Sequence, residues 1–438
     1  MHRLEARSGR GSRARVWCAA LVLAAFVGAF LWGYLVHRMG IPPYDLVESG
    51  MTSAARFVRS LRAEKPRRAR AGEGSGRGLS EAERREAEAL TSISYLTGTM
   101  PAGAATGVTV FEKDRAQAGL NLVTSGHDSE VFLMDMEGEP LHIWSYAFED
   151  IWPDYDLPKG TTETFRRAHL FPNGDLLAIF NWIGLVKLDR DSNLLWSYRG
   201  GCGNDLFVDD DGDIYVIGNE IKRIPRIHPR RETLENFLVV LSHEGEVLKR
   251  VSLLEAFERS AYAPVLDGMP DGGDILHTNT VEVLDGRLAG RSPAFKKGNV
   301  LLSMRNLNTI AVLDPDAGKI VWALSGRWRE QHEPTVLDNG NVLLFNNKAG
   351  DGVSEVLEFD PFTQEIHWSY RGGPTREFFS EKAGTSQRLP NGNTLIVESD
   401  AGRAFEVTPE GTIVWEFVNP LRAAEDGELT ATLFGLVR

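Results

Sequence analysis

Apolar residues fall in short runs over the last three quarters of this chain, and each run ends at a cluster of turn-forming residues. The turns are explicit at Pro172-Asn173-Gly174, Asp210-Asp211-Gly212, Asp338-Asn339-Gly340 and Pro390-Asn391-Gly392. Asn-Gly and Asp-Gly pairs supply the positive φ that tight hairpins need. The pattern therefore predicts strand, turn, strand units, and from about residue 118 these recur at roughly 40 to 55 residues, the period of propeller blades.

Six units can be laid out, beginning near residues 120, 169, 204, 274, 331 and 384. A tryptophan recurs in the last strand of five of them (Trp144, Trp196, Trp322, Trp368 and Trp415), after an apolar run. Such repetition predicts packing between neighbouring sheets. The first unit is one strand short, and LTATLFGLV at 429–437 is the segment predicted to complete it, since an unpaired edge invites aggregation. The expected fold is an all-β six-bladed β-propeller over 118–438.

The N-terminal quarter follows a different pattern. Residues 16–36 are continuously apolar and follow Arg3, Arg7, Arg10, Arg13 and Arg15. Length and charge bias predict a transmembrane helix acting as an uncleaved signal anchor, with residues 1–15 a basic cytoplasmic tail. Bulky Leu31, Trp32, Tyr34 and Leu35 at its end argue against a cleavage site. Residues 37–79, rich in Pro, Gly and Arg, read as a linker. Ser80 and Glu83 have capping-box spacing for a short helix over 80–98. These segments predict a single-pass inner-membrane protein with its propeller in the periplasm.

Charge narrows the partners. A net charge of −13 and a pI near 5.4 argue against nucleic acid. The two cysteines, Cys18 in the apolar segment and Cys202 in a Gly-rich turn, offer neither a disulfide nor zinc spacing. Asp209, Asp210, Asp211 and Asp213 surround a hairpin glycine without EF-hand spacing. Neither a metal nor a cofactor is expected.

Candidate chemistry sits on the first strand of each unit, which lines the axis of a propeller. Polar residues there are His169, Asn204, His277 with Asn279, His332, and Thr385 with Ser386; Arg305 is a further candidate if its strand end reaches the axis. Imidazoles, a guanidinium, amides and hydroxyls facing one funnel suit an oxyanion. Two histidines and an arginine also permit a nucleophile, a general acid or base, and a group that holds developing charge.

The segments DILHTN (274–279), LLSMRN (301–306), QHEPTVLDNGN (331–341), QRLPNGNTLI and EGTIVWEFVNP give the chain a resemblance to bacterial arylsulfotransferases. The resemblance covers about 118–438. It implies a six-bladed periplasmic propeller that moves a sulfuryl group between phenols by a ping-pong route through a sulfated histidine. It further implies His332 as nucleophile, His277 as its acid/base partner, and Asn279 and Arg305 as ligands of the sulfuryl oxygens. Thr385 or Ser386 falls where a hydroxyl joins that site. In the third unit the family usually carries histidine, whereas this chain has Asn204 between Gly203 and Asp205. The implied partners are a small aryl sulfate and a phenol. The alternative is a propeller that keeps the fold and binds a sulfated, phosphorylated or carboxylated ligand without turnover.

Overall fold

A computed structural model of the protein describes Gly98 and residues 100–155, 163–373, 378–423 and 428–438. The anchor at 16–36, the linker at 37–79 and nearly all of the helix at 80–98 lie outside the described residues. Among the described residues, no helix is long and apolar enough to cross a membrane.

Six antiparallel sheets follow one another as the blades of a propeller. Blade 2 is built from Phe165–Leu170, Leu176–Phe180, Gly184–Leu188 and Leu194–Tyr198, innermost strand first. Blades 3 to 6 start at the inner strands Gly203–Val208, Thr278–Val283, His332–Val336 and Thr385–Arg388. The middle strands read as continuous apolar runs because both sheet faces are covered: Leu176–Phe180 and Gly184–Leu188 are buried at every position. One core cluster accordingly joins Leu301, Ile310 and Val312 of blade 4 to Leu344, Leu357 and Phe359 of blade 5.

The C-terminus closes the ring as expected. Leu433–Val437 is the inner strand of blade 1 and pairs with Asn121–Ser125, Leu122 lying opposite Val437. A second latch was not anticipated. Gly107–Phe111, ahead of the expected start at 118, adds a fifth strand to blade 6 by pairing with Ile413–Val418.

The recurrent tryptophans pack between blades and also bond across them. The indole N–H groups of Trp144, Trp196, Trp368 and Trp415 donate to the carbonyls of Gly174, His243, Pro409 and Met136, at 3.2, 3.2, 2.8 and 2.9 Å, each on the next blade around the ring. Trp322 instead meets Phe295 of its own blade's insertion, with ring centroids 5.1 Å apart. Cys202 is buried, and that burial pushes its thiol up to about 12, so it serves as a small core side chain.

Candidate functional site

The inner strands begin at one end of the propeller and run toward their hairpin turns at the other. His332 is the first residue of its strand, His277 immediately precedes Thr278, and Asn204, Thr385 and Ser386 lie in the first two positions of theirs. At this end the backbone is repeatedly left-handed outside glycine, with φ of 64° at Trp182, 65° at Asn204, 50° at His277, 54° at Glu330 and 50° at Glu333. Bulky residues adopt that conformation only where the surroundings enforce it, and such strain gathers at functional sites.

The state of His332 follows from its neighbours. The Asn347 amide nitrogen donates to the carbonyls of Ser380 (2.8 Å) and Ala383 (3.0 Å), which fixes the orientation of that amide. Its oxygen therefore faces His332 Nδ1 at 2.7 Å, and the Glu330 carbonyl lies 3.0 Å from the same nitrogen. Two acceptors require the proton on Nδ1, leaving the Nε2 lone pair available. Nε2 is buried and has no hydrogen-bond partner among the described residues. Burial holds the imidazole pKa well below its ordinary value; the Arg305, His277 and Arg166 charges push the same way, and the Asn347 bond opposes them.

The structure brings His277 and Arg305 to this histidine. The Arg305 main-chain N–H donates to the His277 carbonyl at 3.1 Å, in a short 3-10 turn, Arg305–Leu307. The Arg305 guanidinium pairs with Glu330, whose carbonyl touches His332, and Arg305 Nε is buried without a partner among the described residues. His277 Nδ1 meets the Asp274 carboxylate, and the other Asp274 oxygen accepts the His277 main-chain N–H at 3.0 Å. Asp274 is held there because blade 3 overshoots its neighbours. Its nine-residue strands Ile214–Lys222 and Thr233–Leu241 project far enough for Gly273–Asp274 to pair in parallel with Thr233 and Leu234. Asp274 thus fixes the orientation of the His277 ring.

The remaining predicted residues divide. Asn279 Nδ2 donates to the Gln331 carbonyl at 2.8 Å, so this amide positions the residue before His332. Asn204 Nδ2 likewise bonds the Thr278 carbonyl at 2.9 Å, beside His277. Ser386 is buried, its hydroxyl without a partner among the described residues, and Thr385 is half-buried at the strand start. His169 does not join the group. It is the fifth residue of Phe165–Leu170, toward the hairpin end, where its ring packs edge-on to Phe171 at 4.8 Å. The residue in register with His332 is Arg166: Arg166, Asn204 and His332 each stand eight positions before their turn glycines, Gly174, Gly212 and Gly340. Arg166 is 5% exposed, and its charge acts on His332. Counting back from the turn glycine would have found it.

Below this cluster the axis is closed by charge. Arg167 Nε donates to Asp205 at 2.9 Å, and the guanidinium also pairs with Glu333, tying blades 2, 3 and 5 together. Burial disfavours charge on Arg167, but the two carboxylates outweigh it and raise its pKa. Among the described residues, no group of three His, Cys, Asp or Glu side chains has the arrangement of a metal site.

A β-propeller with two histidines and an arginine drawn together at the mouth of its axis is the class that fold and site define. The family model for arylsulfotransferase (ASST) matches residues 205–420, the region that carries His277, Arg305 and His332. The chain is an arylsulfotransferase-like propeller. No functionally curated protein matches it. Among solved structures, a protein of unknown function from Bacteroides caccae is 16% identical over 69% of this chain and 94% of its own, with a TM-score of 0.46. A streptogramin B lyase is 14% identical over 77% and 93%, at 0.43, and BamB from Moraxella catarrhalis 13% identical over 71% and 75%, at 0.32. Likenesses this distant carry nothing about substrate.

Proposed function

We propose that this protein is a membrane-anchored periplasmic aryl sulfotransferase that moves a sulfuryl group between phenols through a sulfohistidine at His332. The observation that carries the reading is the buried Nε2 of His332, unpartnered and in the unprotonated tautomer beside Arg305 and His277. In the first half-reaction Nε2 attacks sulfur and the aryl oxygen to sulfur bond breaks. The phenolate leaves with the proton that His277 supplies, while Arg305 neutralises charge on the sulfuryl oxygens. In the second, His277 takes the proton of the acceptor phenol, whose oxygen attacks sulfur and releases His332. The apolar segment at 16–36 and the arginines before it support the anchor and the periplasmic placement. The test is turnover of 4-nitrophenyl sulfate by the full chain in detergent, with nitrophenolate release that depends on added phenol and parallel initial-rate lines. Release without phenol dependence, or none at all, would count against transfer.

A second reading, a ligand-binding propeller without turnover, draws support from Asn204 standing where the family usually has histidine and from the Arg305 pairing with Glu330. It predicts saturable binding of aryl sulfates with no product.

A further inference from the structure

The segment that leads to His332 carries charges for which the transfer scheme has no use. Trp328 pins it: this ring is 3% exposed, lies 5.1 Å from Phe359 and donates to the Asn308 carbonyl at 3.0 Å. With Trp328 turned inward, its neighbours Arg327 and Arg329 are exposed. Facing them is the hairpin that joins Val342–Gly350 to Val353–Phe359, where the Lys348 main-chain N–H donates to the Arg329 carbonyl at 3.2 Å. Between the two lies a cleft of about 590 Å³, lined by Arg327, Arg329, Lys348, Asp351 and Phe379 among others. The volume suits a substituted aromatic ring.

Among the described residues, neither the Arg327 nor the Arg329 guanidinium has an ion-pair partner, and Lys348 is shared between Glu330 (2.8 Å) and Glu381 (3.5 Å). Two guanidinium groups without an ion pair thus line the cleft, beside the already paired Lys348 and the carboxylate of Asp351. The cleft adjoins the histidine site: Lys348 follows Asn347, which holds His332, and Glu330 is shared by Lys348 and Arg305.

We propose that this cleft is a second anion subsite, which seats a carboxylate or sulfonate substituent on the same aryl group whose sulfate ester reaches His332. The assignment rests on the sulfuryl-transfer reading for the ester end of the ligand, and it makes the favoured substrates acidic phenols and their sulfates. Guanidinium groups pair readily with such planar or tetrahedral oxyanions.

The test is equilibrium binding to the full chain in detergent, comparing 4-sulfobenzoate, which has two anionic groups, with benzenesulfonate, which has one. The dianion is expected to bind about tenfold more tightly at low salt, and the Arg327→Ser/Arg329→Ser variant to lose that advantage while binding benzenesulfonate as before. Equal binding of the two probes, or a preference that survives the double variant, would overturn the subsite. Turnover is scored separately: a dianion preference without turnover supports the subsite and removes the transfer reading, whereas turnover without the preference removes the subsite alone.

Discussion

His332 and Asn204 hold the same place in blades 5 and 3, eight residues before a turn glycine, yet their surroundings assign them different work. The His332 ring is held at Nδ1 by an amide that is itself fixed, and its other nitrogen is buried with no partner among the described residues. Asn204 turns its amide onto the Thr278 carbonyl and steadies the start of the neighbouring blade. A repeat sets where a side chain points. Whether it is left free to react depends on the partners that other loops bring to it.

The comparison predicts a steep order of effects. His332→Ala should lower the transfer rate by about a thousandfold or more with the thermal midpoint little changed, because a nucleophile has no substitute. Should that variant keep transfer within tenfold, blade 5 holds no privileged position. Asp274→Asn removes the carboxylate that orients His277, the group that hands the leaving oxygen its proton in the proposed scheme. We expect a loss of about 10- to 100-fold with phenyl sulfate, and a much smaller one with 4-nitrophenyl sulfate, whose leaving group needs little protonation. Equal losses on both esters would assign Asp274 to folding alone. Asn204→Ala should destabilise the fold by about 1 to 2 kcal/mol in denaturant titration, by removing a buried hydrogen bond, and leave the sulfated intermediate able to form.

The smallest effect concerns the channel wall. Glu282 lies between the inner strands of blades 4 and 5 and accepts the Val336 N–H at 3.1 Å; desolvation raises its carboxyl from 4.5 to about 8. A raised carboxyl means the folded state holds the proton more tightly, so its contribution is complete below pH 4.5 and lost as pH rises toward 8. Glu282→Gln should therefore match the wild type in acid and exceed it above pH 8, read from urea midpoints at the two pH values. A constant difference across the range would show that Glu282 does not titrate on unfolding.

The blades, their turn glycines, the interlocking tryptophans and the C-terminal closing strand were legible because each is a local or repeated pattern. Gly107–Phe111 was not, since its partner strand lies some three hundred residues away and nothing nearby repeats. The site was half legible. His277, Arg305 and His332 stand out as polar residues on apolar strands, and the structure gathers them. His169 was drawn in by residue type, although its distance from Gly174 puts it toward the wrong end of the strand, and that same distance would have selected Arg166. Asp274, Glu330 and Asn347 were hidden because each reaches the site by a detour: a parallel bridge, a positive-φ loop and a strand from the far side of the hairpin.

The most direct measurement is peptide mass mapping of the full chain after brief exposure to 4-nitrophenyl sulfate without acceptor, quenched in base to preserve an N-sulfated imidazole. The account predicts one sulfuryl group on the peptide containing His332, discharged on adding phenol and absent from His332→Ala. A sulfuryl group on another residue, or turnover with His332 unmodified throughout, would contradict it.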